Sequence, residues 1–131
     1  MPQIILAVDD DKSILHTLKS LLLKSGYEVI TAPNGEEALQ LLKNANPDLI
    51  ISDLVMPMMN GWYFKMKVRN DERFKTTPII ILSAMVAQEG GGDYGVGGGD
   101  YKETATYYLA KPFNASALMD KIKELISGRT P

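Results

Sequence analysis

The stretch Ile4-Ile5-Leu6-Ala7-Val8-Asp9-Asp10-Asp11 decides the fold. A near-continuous apolar run of strand length marks a strand buried on both faces, as in a parallel sheet. It stops abruptly in three carboxylates. A second run, Leu49-Ile50-Ile51-Ser52-Asp53, has the same form. If the two strands lie side by side and parallel, several negative charges meet at one edge of the sheet. Clustered carboxylates repel one another unless they share protons or bind a cation, and hard oxygen ligands suit Mg²⁺.

Outward from these runs, strand-like and helical patterns alternate. Residues 13–25 carry Ile14, Leu15, Leu18, Leu21 and Leu22 at helical spacing, and Gly26 is the stop. Residues 27–31 read as the second strand. After the turn Pro33-Asn34-Gly35, residues 36–43 read as a helix with Ala38, Leu39 and Leu42 inward. Asn46-Pro47 breaks it, and residues 48–52 form the third strand. Residues 62–69 read as a helix, 78–82 as the fourth strand, and 107–110 as the fifth. A last helix over 115–126 has Asn114 as its N-cap. Such alternation implies βαβ units, a parallel sheet covered on both faces and right-handed crossovers. Ligands bind such sheets beyond the carboxyl ends of the strands. Asp9, Asp10, Asp53, Ser83 and Lys111 all fall there, and their convergence outweighs any one of them.

Composition narrows the class. At 131 residues with 45% hydrophobic content, the chain is long enough for one domain with a real core. Residues 1–127 are taken as that domain and 128–131 as a tail. A formal net charge of −2 gives no sign of a basic nucleic-acid footprint. The absence of cysteine excludes disulfides and thiolate metal sites. No basic segment precedes the first apolar run, so a signal peptide is not expected. The longest apolar stretch, around 78–87, is well short of the roughly 20 residues that span a bilayer. A cytoplasmic protein without membrane insertion or direct nucleic-acid contact is the expectation.

One segment breaks the alternation. Between the fourth and fifth strands the pentapeptide Gly-Gly-Gly-Asp-Tyr occurs twice, at 90–94 and 97–101. Each interior glycine costs a helix about 1 kcal/mol relative to alanine, so a regular helix across 90–99 is not expected. The fourth crossover helix is therefore shortened or replaced by a Gly-rich loop over residues 88–103. Lacking the Gly-Lys-Ser/Thr ending and a following helix, the loop is no Walker-type phosphate cradle.

Taken together, Val8-Asp9-Asp10, Asn34-Gly35-Glu36-Glu37-Ala38, Asp53-Leu54-Val55-Met56-Pro57 with Gly61, Ser83-Ala84 and Tyr108-Leu109-Ala110-Lys111-Pro112-Phe113 resemble the receiver domain of two-component response regulators, of the chemotaxis-type, single-domain kind. The likeness runs from residue 3 to about 127. It implies an α/β, flavodoxin-like, doubly wound five-stranded parallel sheet in the order 2-1-3-4-5. It also implies a phosphorylation switch rather than an enzyme, with Asp53 accepting a phosphoryl group from a histidine kinase or phosphotransfer protein. By the same resemblance Asp10, Asp53 and the backbone carbonyl of Val55 bind Mg²⁺, with Asp9 contributing mainly through water. Lys111 meets the phosphoryl oxygens, Ser83 moves toward them, and Tyr108 changes rotamer with Ser83 to signal a downstream protein or an output domain missing from this chain. Pro112 following Lys111 implies a cis bond. The resemblance further implies that the segment 88–103 falls in the surface that reports phosphorylation, and that Val55 and Met85 flank the path of attacking water.

Each residue also has a plainer reading. Asp9, Asp10 or Asp11 could cap the following helix, and Asp11 is taken as the bystander. Lys111 alone would be a surface lysine, and Ser83 a strand-end hydroxyl. Tyr107 competes with Tyr108, and His16, the sole histidine, reads as exposed and idle. Of Trp62, Tyr63 and Phe64, one is expected to pack and another to stay partly exposed. Two rival functions remain. Asp9-Asp10-Asp11-Lys12-Ser13 matches the loop of haloacid-dehalogenase-type phosphatases, with Asp9 as nucleophile and Asp11 as acid. A pseudoreceiver would keep the fold as a binding module without phosphorylation.

Overall fold

The computed structural model describes residues 2–83 and 106–127. Its elements are β1 (Ile4–Val8), α1 (Lys12–Lys24), β2 (Glu28–Ala32), α2 (Gly35–Leu42), β3 (Leu49–Asp53), α3 (Gly61–Arg69), a 3₁₀ turn (Glu72–Phe74), β4 (Ile79–Ser83), β5 (Thr106–Ala110) and α4 (Ala115–Ser127). No expected strand or helix is displaced by more than one residue. The 3₁₀ turn is an addition. The Gly-rich segment 88–103, the shortened helix expected there, Met85 and the tail 128–131 lie outside the described residues.

All four strand pairings are parallel, in the order β2-β1-β3-β4-β5. Alternate residues of each strand serve opposite faces. Leu6, Val8, Ile50, Ile79 and Ile81 pack with Ala38, Leu42, Phe64 and Val68 of α2 and α3. Ile5, Ala7, Leu49, Ile51, Ile80 and Leu82 pack with Leu18, Leu22, Leu118, Ile122 and Ile126 of α1 and α4. This two-sided burial is why the strands read as unbroken apolar runs.

Local signals fix where the helices begin and end. Asn34, Asn60 and Asn114 each accept from a backbone N–H three residues on, at 2.8–2.9 Å, a contact worth about 1 kcal/mol. Helix α1 ends at Gly26, which has φ +94°. Gly26 and Tyr27 donate to the carbonyls of Leu23 and Leu22 at 3.0 and 3.1 Å, the Schellman arrangement that glycine permits.

The loop from β3 to α3 folds back under the end of its own strand. Gly61 N–H donates to the Leu54 carbonyl at 2.7 Å. A Cβ on Gly61 would lie 2.6 Å from the Asp53 carbonyl oxygen and 2.9 Å from the Leu54 Cα. Both obstacles are backbone, so relief must move the segment that carries Asp53. Gly61→Ala is expected to destabilise the protein by about 1–3 kcal/mol, read as a lower midpoint in urea unfolding. An unchanged midpoint would contradict the close approach. In the same loop Met58 sits at φ 70°, a strained conformation for a residue with a side chain.

Candidate functional site

Register assembles the site. Val8 of β1 pairs with Ser52 of β3, so the next residues, Asp9 and Asp53, stand side by side at the carboxyl end of the sheet. Asp53 pairs with Leu82 of β4, and Ser83 pairs with Ala110 of β5. Lys111 then donates its backbone N–H to the Ser83 carbonyl at 3.1 Å. Two acids, a hydroxyl and a lysine thus converge from four strands.

The carboxylates are shielded from solvent: Asp9 is 1% exposed and Asp53 7%. Lys111 Nζ bridges them, donating to Asp9 Oδ2 at 3.2 Å and Asp53 Oδ1 at 3.1 Å. Asp9 Oδ1 also accepts from the Asp11 N–H, and Asp53 Oδ1 from the Leu54 N–H, each at 2.9 Å. Burial, with the neighbouring charge of Asp53, pushes the Asp9 carboxyl above the usual carboxylate range despite the Asp11 N–H and Lys111. Burial alone would lower the Lys111 pKa, but the Asp53 and Asp9 carboxylates outweigh it and raise it. The lysine therefore stays charged and offsets part of the repulsion between the acids.

Asp10 is exposed. Asp9, Asp10 and Asp53 can each offer an oxygen such that all three lie within 4.8 Å of one another. Two buried carboxylates, one with its proton affinity already raised, beside a third facing solvent form a hard, anionic donor set. That chemistry fits a divalent cation that keeps part of its water, as Mg²⁺ does. Val55, whose carbonyl the resemblance adds to the set, lies just past β3 and is 64% exposed.

The other candidates are placed as follows. Ser83 is buried at the end of β4. Tyr108 is buried on the α3 side of the sheet and Tyr107 packs on the other, so the two tyrosines do not compete for one surface. The Lys111–Pro112 bond is cis. His16 is exposed. Phe64 is buried, Trp62 intermediate and Tyr63 exposed. Asp11 caps α1, accepting from the Ser13 and Ile14 N–H groups at 2.9 and 3.3 Å, and those donors lower its pKa.

Two cations escaped the sequence reading. Arg69 donates to the Phe74 and Thr77 carbonyls, each at 2.7 Å, and to Thr106 Oγ1 at 3.2 Å, tying α3 to the approach of β4 and to β5. Lys65 is buried, with its ammonium 3.4 Å from the Tyr108 hydroxyl. The signal was present: the buried positions of α3 are Gly61, Phe64, Lys65 and Val68, which is helical core spacing with a lysine in it.

Comparison with known proteins agrees with this geometry. Residues 5–123 match the family model described as the response regulator receiver domain. The chain is 35% identical over 130 residues to protein PilG of Pseudomonas aeruginosa, covering 97% of this chain and 90% of PilG. Five other curated relatives are longer, and the chain spans 12–52% of their length. Among solved structures, the chemotaxis response regulator CheY4 of Vibrio cholerae superposes with TM-score 0.81 at 35% identity, covering 95% of this chain and 99% of that one. The receiver domain of sensor histidine kinase PA1611 from P. aeruginosa PAO1 gives TM-score 0.80 at 26% identity, covering 97% of this chain and 99% of that one. It is described with a magnesium ion coordinated in its active-site cleft. Among the described residues, no helix is long and apolar enough to cross a membrane.

Proposed function

The chain belongs to the response regulator receiver domain family of two-component signalling, and from that premise we propose that it is a phosphorylation switch with Asp53 as the phosphoacceptor. Receiver domains are regulatory rather than classical enzymes. The observation that supports this reading best is the Lys111 ammonium bridging the buried carboxylates of Asp9 and Asp53. In the transfer an Asp53 carboxylate oxygen bonds to phosphorus as the bond from phosphorus to the donor breaks. The donor is a phosphohistidine on a kinase or phosphotransfer protein, or a small acyl phosphate. Mg²⁺, held by Asp9, Asp10, Asp53 and the Val55 carbonyl, would supply the positive charge that lets an anion attack an anion. Lys111 stays protonated and meets the incoming phosphoryl oxygens as a point charge. Ser83 offers a hydroxyl donor to the same oxygens, and Tyr108, on the same face of the sheet, follows its movement. The readout is a cytoplasmic partner protein or an output domain on a longer chain.

The phosphatase alternative fares worse. Asp9 is buried with both carboxylate oxygens already hydrogen-bonded, and Asp11 is spent as a helix cap. The test is to incubate the protein with acetyl phosphate and Mg²⁺ and map the acid-labile label. Label on Asp53 supports the switch, and label on Asp9 supports the phosphatase. Absence of label together with no beryllofluoride binding supports the pseudoreceiver.

Val55 bears on the lifetime of the phosphorylated state. It stands two residues past Asp53, is largely exposed, and has no group to orient a water. Val55→Asn supplies one, and orienting an attacking water is worth on the order of tenfold in hydrolysis. Phosphate release from the labelled variant is expected to speed up by about that factor, with thermal stability unchanged because the side chain packs little. An equal or slower release would remove the assigned role.

A further inference from the structure

The buried stripe of α3 contains a charge that the chemistry at Asp53 does not use. Lys65 is 8% exposed. Its ammonium lies 3.4 Å from the Tyr108 hydroxyl and 5.2 Å from the centroid of the Trp62 ring. Trp62 packs tilted on Tyr108, with centroids 5.6 Å apart. The three side chains close a triangle: ammonium to hydroxyl, ammonium to indole, indole to phenol. Two corners come from α3 and the third from β5.

Burying an ammonium is costly unless partners compensate it. A leucine or methionine at this core position of α3 would avoid the cost. What the lysine adds is direction. A hydrogen bond to the hydroxyl and a cation over the indole fix the ring of Tyr108 from two sides. Tyr108, buried to 2% exposure, pairs in register with Ile81, and Ser83 lies two residues further along β4 on the same face. On the receiver reading, a phosphoryl group on Asp53 would draw the Ser83 hydroxyl toward its oxygens and leave room beside the ring, so the buried orientation of Tyr108 would go with the occupied site.

We propose that Lys65, with Trp62, is a positioning residue that holds Tyr108 in its buried orientation in advance and thereby favours occupation of Asp53. A contact made in one of two orientations shifts the balance between them, and by linkage shifts the affinity of whatever selects the same orientation. The linkage to Asp53 rests on the receiver reading; the hold on Tyr108 does not.

The test uses the full chain labelled with fluorotyrosine, with the Tyr108 resonance assigned by its loss in Tyr108→Phe. Lys65→Met keeps the apolar stem and removes the ammonium, and circular dichroism checks that the variant folds. Its Tyr108 resonance is expected to move toward the exposed position and to respond to solvent. Beryllofluoride binding with Mg²⁺, followed through Trp62, the chain's single tryptophan, is expected to weaken on the order of tenfold. Lys65→Arg should restore both. An unchanged Tyr108 resonance in folded Lys65→Met overturns the hold. A shifted resonance with unchanged affinity overturns the linkage. Failure of the unaltered protein to bind beryllofluoride counts against the receiver reading, and the resonance comparison still decides the hold. If Lys65→Met does not fold, Trp62→Leu opens the triangle from its other side, and an unmoved Tyr108 resonance there is equally fatal.

Discussion

Asp53→Asn is expected to take up no acid-labile phosphate from acetyl phosphate and Mg²⁺, under conditions where the unaltered protein labels fully. The amide has nearly the same shape, so the loss is chemical: the nucleophilic carboxylate oxygen is gone. It also deletes one of the three carboxylates whose oxygens gather within 4.8 Å, so Mg²⁺ binding should weaken too. Folding should change little, because Lys111 keeps Asp9 and Asp9 loses a like-charged neighbour. Circular dichroism separates the two effects. Label persisting at the original level would move the acceptor elsewhere and end the assignment of Asp53.

Lys111→Ala is expected to act in two opposing ways. The lysine ammonium sits 3.1–3.2 Å from the same carboxylates a divalent cation would use. Removing it leaves the buried Asp9 beside Asp53 without the cation that bridges them. Breaking a buried pair costs about 3–5 kcal/mol, and the lysine's partial exposure lowers that here to about 1–3 kcal/mol. The variant should therefore melt well below the unaltered protein in EDTA. In the same variant Mg²⁺ no longer competes with an ammonium, so its affinity should rise on the order of tenfold, and saturating Mg²⁺ should recover much of the stability. Weaker Mg²⁺ binding than in the unaltered protein would show that the lysine supports the metal site rather than competing with it.

The parts most legible in the sequence were those where chemistry changes abruptly along the chain. The strands are apolar on both faces and end in Asp9, Asp53, Ser83 and Lys111, so boundaries and site residues were read together. The start of α4 was legible through Asn114, because an N-cap is a local contact, whereas Asn34 was read as a turn residue and its cap on α2 emerged only in the structure. Strand order was not: continuous apolar runs carry no information on which neighbour each prefers, and the order came from the family resemblance. Lys65 and Arg69 were missed because a cation is ordinarily assigned to solvent. Their partners, Tyr108, Phe74, Thr77 and Thr106, are supplied by tertiary packing. The tyrosine pair divided cleanly once the faces of β5 were known.

The strand order has a consequence for how the molecule assembles. The first 53 residues contain β2, β1 and β3, three adjacent strands that can pair as soon as they exist. Their pairing already brings Asp9 and Asp53 together. The lysine that neutralises them comes 58 residues after Asp53 and arrives only when β5 docks on β4. In any state that pairs β1 with β3 while β5 is undocked, the two acids lack the lysine that bridges them, so the closing strand completes the charge balance of the site as well as the sheet.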